Sequence, residues 1–137
     1  MNKLYLIRGL PGSGKSTYAR KLAQEIGARH LEADMYFCRD GQEYKFDPLL
    51  LGKAHNWCFT ETEKSLASGI SVIVSNTFVQ RWEINPYTFL AHGLNVPCAI
   101  YVATGNYNNI HGVPEQSLNK MRQKWQPVEG ELFIENW

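Results

Sequence analysis

The sequence has no long apolar run: none of its hydrophobic stretches approaches the ~20 residues that a membrane-spanning helix needs. The N-terminal stretch Leu4-Tyr5-Leu6-Ile7 is followed at once by Arg8, which is too short for a secretory h-region. Cysteine is sparse. Cys38, Cys58 and Cys98 form an odd set with no CxxC, which argues against zinc-ribbon or thioredoxin spacing and points to free thiols in a reducing cytoplasm. An excess of charge is also missing: 14 Lys and Arg stand against 13 Asp and Glu, a net +1. A non-specific nucleic-acid binder usually carries more positive charge, although a local basic groove stays possible at this balance. There is no repeat, low-complexity tract or linker. What remains is 137 residues, 44% hydrophobic and 20% charged, expected to form one domain over 1–137. A chain of that length buries roughly two thirds of its surface and needs no disulfide.

The most informative stretch is Gly9-Leu10-Pro11-Gly12-Ser13-Gly14-Lys15-Ser16-Thr17. It fits G-x-x-x-x-G-K-[ST], between an apolar strand-like run and a helical pattern. Glycines let the backbone curl so that successive N–H groups point inward at phosphate oxygens. The following helix adds its positive end. The reading makes Gly9, Pro11, Gly12, Ser13, Gly14, Lys15, Ser16 and Thr17 a nucleoside triphosphate cradle. Lys15 reaches the β- and γ-phosphates, and the Ser16 hydroxyl binds Mg²⁺.

Strand and helix signals alternate along the rest. Strands are expected over 3–8, 28–33, 70–74 (running out at Ser75-Asn76-Thr77) and 96–103, with a short one at Leu132-Phe133-Ile134. Ala19, Leu22, Ala23 and Ile26 mark one face of a first helix that Gly27 ends. Asp47-Pro48 opens a second helix over about 49–68, with Leu51, Ala54, Cys58 and Thr62 toward the sheet. A third spans about 81–91, with Pro86 in or near its first turn if it is not to kink. A fourth starts at Pro114. Residues 35–46 read as a polar and aromatic loop. This pattern predicts an α/β, P-loop-type three-layer sandwich with a central parallel sheet of four to five strands. Four strand-end stretches then share one edge: 9–17, 34–37, 75–77 and 104–112.

Those stretches carry a resemblance. The chain resembles the phage-type polynucleotide 5′-hydroxyl kinase branch of P-loop kinases, and more closely small P-loop ATP-binding proteins often labelled AAA-family ATPases. The carrying pieces are Arg8 to Thr17, Ala33-Asp34-Met35-Tyr36-Phe37, Ala54-His55-Asn56-Trp57-Cys58, Val72 to Thr77, and Asn109-Ile110-His111-Gly112-Val113-Pro114. The resemblance implies Mg-ATP as phosphoryl donor and Asp34 as general base toward an acceptor hydroxyl. A carboxylate beside the γ-phosphate suits that proton transfer. Asp34 is also expected to touch the metal through water, and His55 and Trp57 to line the acceptor site, with core packing the alternative for Trp57. His30 reads as a satisfied strand histidine.

Two departures stand out. Where relatives end the third strand in an acid before Thr, the matching residue is Asn76. The lid expected at about 104–125 has no arginine before Arg122. Either Arg122 or Lys120 then reaches in from the following helix, or asparagine amides and backbone N–H groups make the phosphate contacts. For Lys120, Arg122 and Lys124 the alternative is a solvated helix face. The base is expected between 119–122 and 126–128. The leading expectation is a kinase acting on the 5′-hydroxyl of DNA or RNA. The alternatives are a kinase for a small alcohol (nucleoside, sugar or antibiotic) and an ATP-binding switch with little transfer. The expected location is the cytoplasm with no membrane partner; oligomeric state is not legible.

Overall fold

The computed structural model describes residues 1–107 and 112–134, without the Asp40 side chain. Asn108, Asn109, Ile110 and His111 of the expected lid, and Glu135 of the tail, lie outside them. The elements run β1 (Leu4–Arg8), α1 (Lys15–Ile26), β2 (Arg29–Leu31), α2 (Leu51–Ala67), β3 (Val72–Asn76), α3 (Arg81–Gly93), β4 (Cys98–Ala103), α4 (Glu115–Lys124) and β5 (Leu132–Ile134). Five parallel strands form one sheet in the order β2-β3-β1-β4-β5.

The two-residue strand period sorts the core into two layers. Leu4, Leu6, Val72 and Val74 pack with Ala54 and Cys58 of α2 and Ile84, Tyr87 and Ala91 of α3. Tyr5, Ile7 and Ile73 face the other way, against Ala19, Leu22 and Ala23 of α1. Leu4, Leu6 and Ile7 are fully buried, about 1.5–3 kcal/mol each against exposure. The result is the expected three-layer sandwich, with β1 at its centre.

Local differences have local causes. Ile26 is exposed, so the apolar face of α1 ends a turn early. Asp47 caps as expected, accepting from Leu49 N at 3.0 Å, but Pro48–Leu50 form a 3-10 turn before α2 begins. Leu51 is consequently turned out of the core. Pro86 falls at the sixth residue of α3, beyond the first turn, so Trp82 receives no i+4 amide bond from it. The aromatic segment is not a loop throughout. Ala33–Gly41 winds into a 3-10 helix because Phe37 is drawn into the core, 6% exposed.

A long-range staple fixes the C-terminal segment. Arg8 is fully buried at the end of β1. Its guanidinium donates to the carbonyls of Phe78 and Val79, pairs with Glu131 at 2.6 Å, and lies 3.9 Å over the Trp125 ring. Phe78 has φ 47, a left-handed kink that a bulky residue rarely adopts, in the turn that aims its carbonyl at Arg8.

Candidate active site

A cavity of about 560 Å³ opens at the carboxyl edge of the sheet. Its lining joins Pro11, Lys15 and Ser16 after β1, Glu32, Ala33 and Asp34 after β2, and Ser75, Asn76 and Thr77 at the end of β3. Three of the four expected stretches therefore meet in it. The fourth braces it: Gly105 N donates to Ser13 O at 3.0 Å and Tyr107 N to Gly12 O at 2.7 Å.

The glycine loop is held by close approach. A Cβ at Gly9 would meet the Ser13 side chain and the Ala103 carbonyl, and one at Gly105 would meet Ser13 O and the Tyr107 ring. Gly12 and Gly14 have φ 84 and 90, open to glycine at no steric cost. The loop then enters α1 at Lys15. Two features fit an anionic ligand. Ser13 Oγ is buried and has no hydrogen-bond partner among the described residues. Lys15 is half-buried and lines the cavity, and no ion pair to it occurs among the described residues. Burial lowers the Lys15 ammonium below its ordinary value, while Glu32 and then Asp34 oppose that shift. A desolvated cation at the start of α1, where helix N–H groups lack helical partners, suits phosphate oxygens.

The ends of β2 and β3 are tied together. The buried Asn76 accepts from Ala33 N through Oδ1 at 2.9 Å, and its amide nitrogen faces Cys58 Sγ at 3.9 Å. Asn76 thus holds the backbone one residue before Asp34. Asp34 lines the cavity and accepts from Tyr44 OH at 3.0 Å. Burial and then the Asp34 charge push the Tyr44 hydroxyl up to about 12, so it remains a donor at physiological pH. Glu32, which the sequence reading passed over, accepts from both the Ser16 hydroxyl and Ser75 Oγ, the latter at 2.8 Å. His30 is a satisfied strand residue, its Nε2 2.7 Å from Ser75 Oγ. Glu32 sits one step past the last strand pair, Leu31 with Val74, as Ser75 does on the neighbouring strand, a register that no local pattern announces.

The outer wall is aromatic and aliphatic. Tyr44, Phe46, Leu51, His55, Val113 and Met121 line it. Phe37 supports Tyr44 and Phe46 from below, with ring centroids 6.2 and 5.2 Å away. Trp57 does not line the cavity; it packs edge-on against Tyr36, so core packing is its structural role here. Arg122 is also outside the lining. Its guanidinium donates to Glu115 at 3.1 Å and Asn119 at 2.7 Å on the exposed side of α4. Gln126 is taken up by the turn after β3: its N donates to Val79 O, and its side chain accepts from Arg81 N. No helix of the described residues is long and apolar enough to cross a membrane.

The fold and the glycine-loop cavity together define a P-loop α/β fold of the kinase-like type. Residues 4–106 match the AAA domain family, and the chain belongs to it. It is similar to human NEDD4-binding protein 2, with 36% identity over 134 residues; the match takes in 90% of this chain and 8% of that protein. The chain therefore spans under a tenth of that relative's length. Among solved structures it is similar to a sugar kinase from Janibacter sp. HTCC2649, at TM-score 0.65 and 18% identity over 98% of this chain and 84% of that one. Kti12 from Chaetomium thermophilum, in complex with ADP-AlF3, aligns at TM-score 0.70 and 10% identity over 96% and 88%. The Mycobacterium tuberculosis APS kinase in complex with AMPPNP and APS aligns at 0.63 and 14% over 99% and 90%. At these identities the structures establish the shared fold.

Proposed function

We propose that the protein is an ATP-dependent phosphotransferase that moves the γ-phosphate of ATP to a hydroxyl, with the 5′-hydroxyl of a DNA or RNA end as leading acceptor. The observation that carries this reading is the meeting of Lys15, Ser16 and Asp34 in one cavity whose other wall is aromatic. Kinase and nucleotide-bound neighbours of the same fold support it.

In this reading the loop N–H groups and the Lys15 ammonium hold the triphosphate and favour the charge that develops on the transferring group. Mg²⁺, when bound, neutralises phosphate charge. Ser16 would hold it directly and Asp34 through water. Asp34 accepts the proton of the attacking hydroxyl, oriented by Tyr44 and by the Asn76 bond behind it. Tyr44 and Phe46 offer ring faces against which an acceptor base stacks, an interaction that tolerates any sequence.

One observation favours a second reading. Among the described residues, Lys15 is the only Lys or Arg lining the cavity. A strand-binding channel would carry more cations and a steep salt dependence. That composition suits a small alcohol as acceptor, or a nucleotide switch that transfers slowly. The deciding experiment offers γ-labelled Mg-ATP with 5′-hydroxyl DNA and RNA oligomers, nucleosides, sugars and aminoglycosides. Label on an oligomer supports the leading acceptor, and label on a small alcohol replaces it. Tight ATP binding with no labelled acceptor selects the switch.

A further inference from the structure

We infer that Glu32, at the exit of β2, is the carboxylate that faces the metal beside Ser16, where the end of β3 offers only Ser75, Asn76 and Thr77. The inference rests on the nucleotide-binding reading above and adds a residue to that site.

The hydrogen bonds assign the role. Ser16 and Ser75 each have one hydroxyl proton. Both hydroxyls point theirs at Glu32 Oε2. Ser16 therefore keeps its oxygen lone pairs for a cation, while the carboxylate that orients it stands next to the same point. Ser75, having donated to Glu32, accepts at its 2.7 Å contact with His30, so His30 carries its proton on Nε2. The row His30, Ser75, Glu32, Ser16 runs from the interior of the β2–β3 pair to the first turn of α1. It holds the Glu32 carboxylate against the glycine loop from behind.

The neighbouring groups have other duties. Asn76 Oδ1 is taken by Ala33 N, and Asp34, which accepts from Tyr44, is left to serve as base and to reach the ion through water in the reading above. Glu32 is the cavity carboxylate bonded to the hydroxyl of the motif. Among the described residues, no three His, Cys, Asp or Glu side chains are grouped to hold a metal alone. Magnesium sites of one or two carboxylates completed by substrate phosphates have this poverty of protein ligands. The ion is therefore expected to bind with the nucleotide and weakly without it.

The test is calorimetric binding of AMPPNP, in excess EDTA and in Mn²⁺, to wild type and Glu32→Gln. Wild type is expected to bind more tightly with Mn²⁺. Glu32→Gln should keep its EDTA affinity within about threefold and lose roughly 10–100-fold of the Mn²⁺ tightening, the range for removing a metal site's supporting group. Full tightening in Glu32→Gln overturns the proposal. Wild type that binds AMPPNP with no Mn²⁺ effect overturns it and leaves nucleotide binding standing. Wild type that binds no AMPPNP overturns both readings. Should Glu32→Gln fail to bind even in EDTA, the double variant Glu32→Ser with Ser75→Asp decides. It returns a carboxylate to the same spot from β3, and Mn²⁺ tightening within threefold of wild type is expected; a loss beyond tenfold overturns the proposal.

Discussion

The ends of β2 and β3 lie side by side and are built differently. β3 has five residues, all buried, paired on both edges by β1 and β2. β2 has three residues, is exposed at Arg29, and forms the sheet edge. The acids nonetheless follow β2, as Glu32 and Asp34, while β3 ends in hydroxyls and an amide. The two ends are joined by the Asn76 bond to Ala33 N and the Ser75 bond to Glu32. A buried strand cannot carry an unpaired carboxylate cheaply, but it can hold a neighbour's backbone still. The comparison teaches that the buried strand holds its neighbour in place and the short strand carries the acids.

Ways to break that division run from the largest effect to the smallest. Lys15→Ala removes the cation proposed to hold the phosphates; transfer should fall to background and ATP binding should weaken, read by label transfer and calorimetry. Asp34→Asn should lower transfer by roughly 10²–10⁴, the usual worth of a positioned base, with ATP affinity within a few-fold. Asn76→Leu strikes β3's positioning role instead. It leaves the Ala33 N–H without its buried acceptor, a loss of about 1–3 kcal/mol in urea unfolding, with transfer falling alongside.

A smaller effect is expected from acid. Burial depresses the His30 pKa, partly opposed by Glu32 and reinforced by Arg20. The folded chain then binds fewer protons than the unfolded one below about pH 6.5. His30's contribution is thus complete above that pH and shrinks as pH falls toward the lower folded value. The Tm of His30→Gln should decline less than that of wild type across this interval. The smallest effect belongs to Arg122→Ala. With Arg122 tied to Glu115 and Asn119, transfer should change by less than about threefold; a larger loss places Arg122 in the lid after all.

The sequence was most legible where local physics decides. The glycine motif, the continuous apolar run of β1 and the 3.6-residue face of α1 locate the central strand and its loop to within a residue. The Asp47-Pro48 signal marks the cap, although α2 itself starts only at Leu51, after a 3-10 turn. The 3-10 helix over Ala33–Gly41 overlaps the end of the strand expected at 28–33 and most of its residues fall in the loop expected at 35–46, because its aromatics have no helical period; the burial of Phe37 organises it. Glu32 was passed over because its partner Ser75 is set by strand register, 43 residues away. The pairing of Arg8 with Glu131 spans 123 residues and has no local signature. Asp34 stood out because it follows a strand and belongs to a recognisable stretch.

The most direct measurement is single-turnover transfer from γ-labelled Mg-ATP to a 5′-hydroxyl oligonucleotide, with wild type and Asp34→Asn side by side at equal nucleotide occupancy. The account predicts label on the 5′ end with wild type and its loss, by a hundredfold or so, with Asp34→Asn. Equal label with both proteins would contradict the role of Asp34. No label with either, at full ATP occupancy, would contradict transfer to a polynucleotide end.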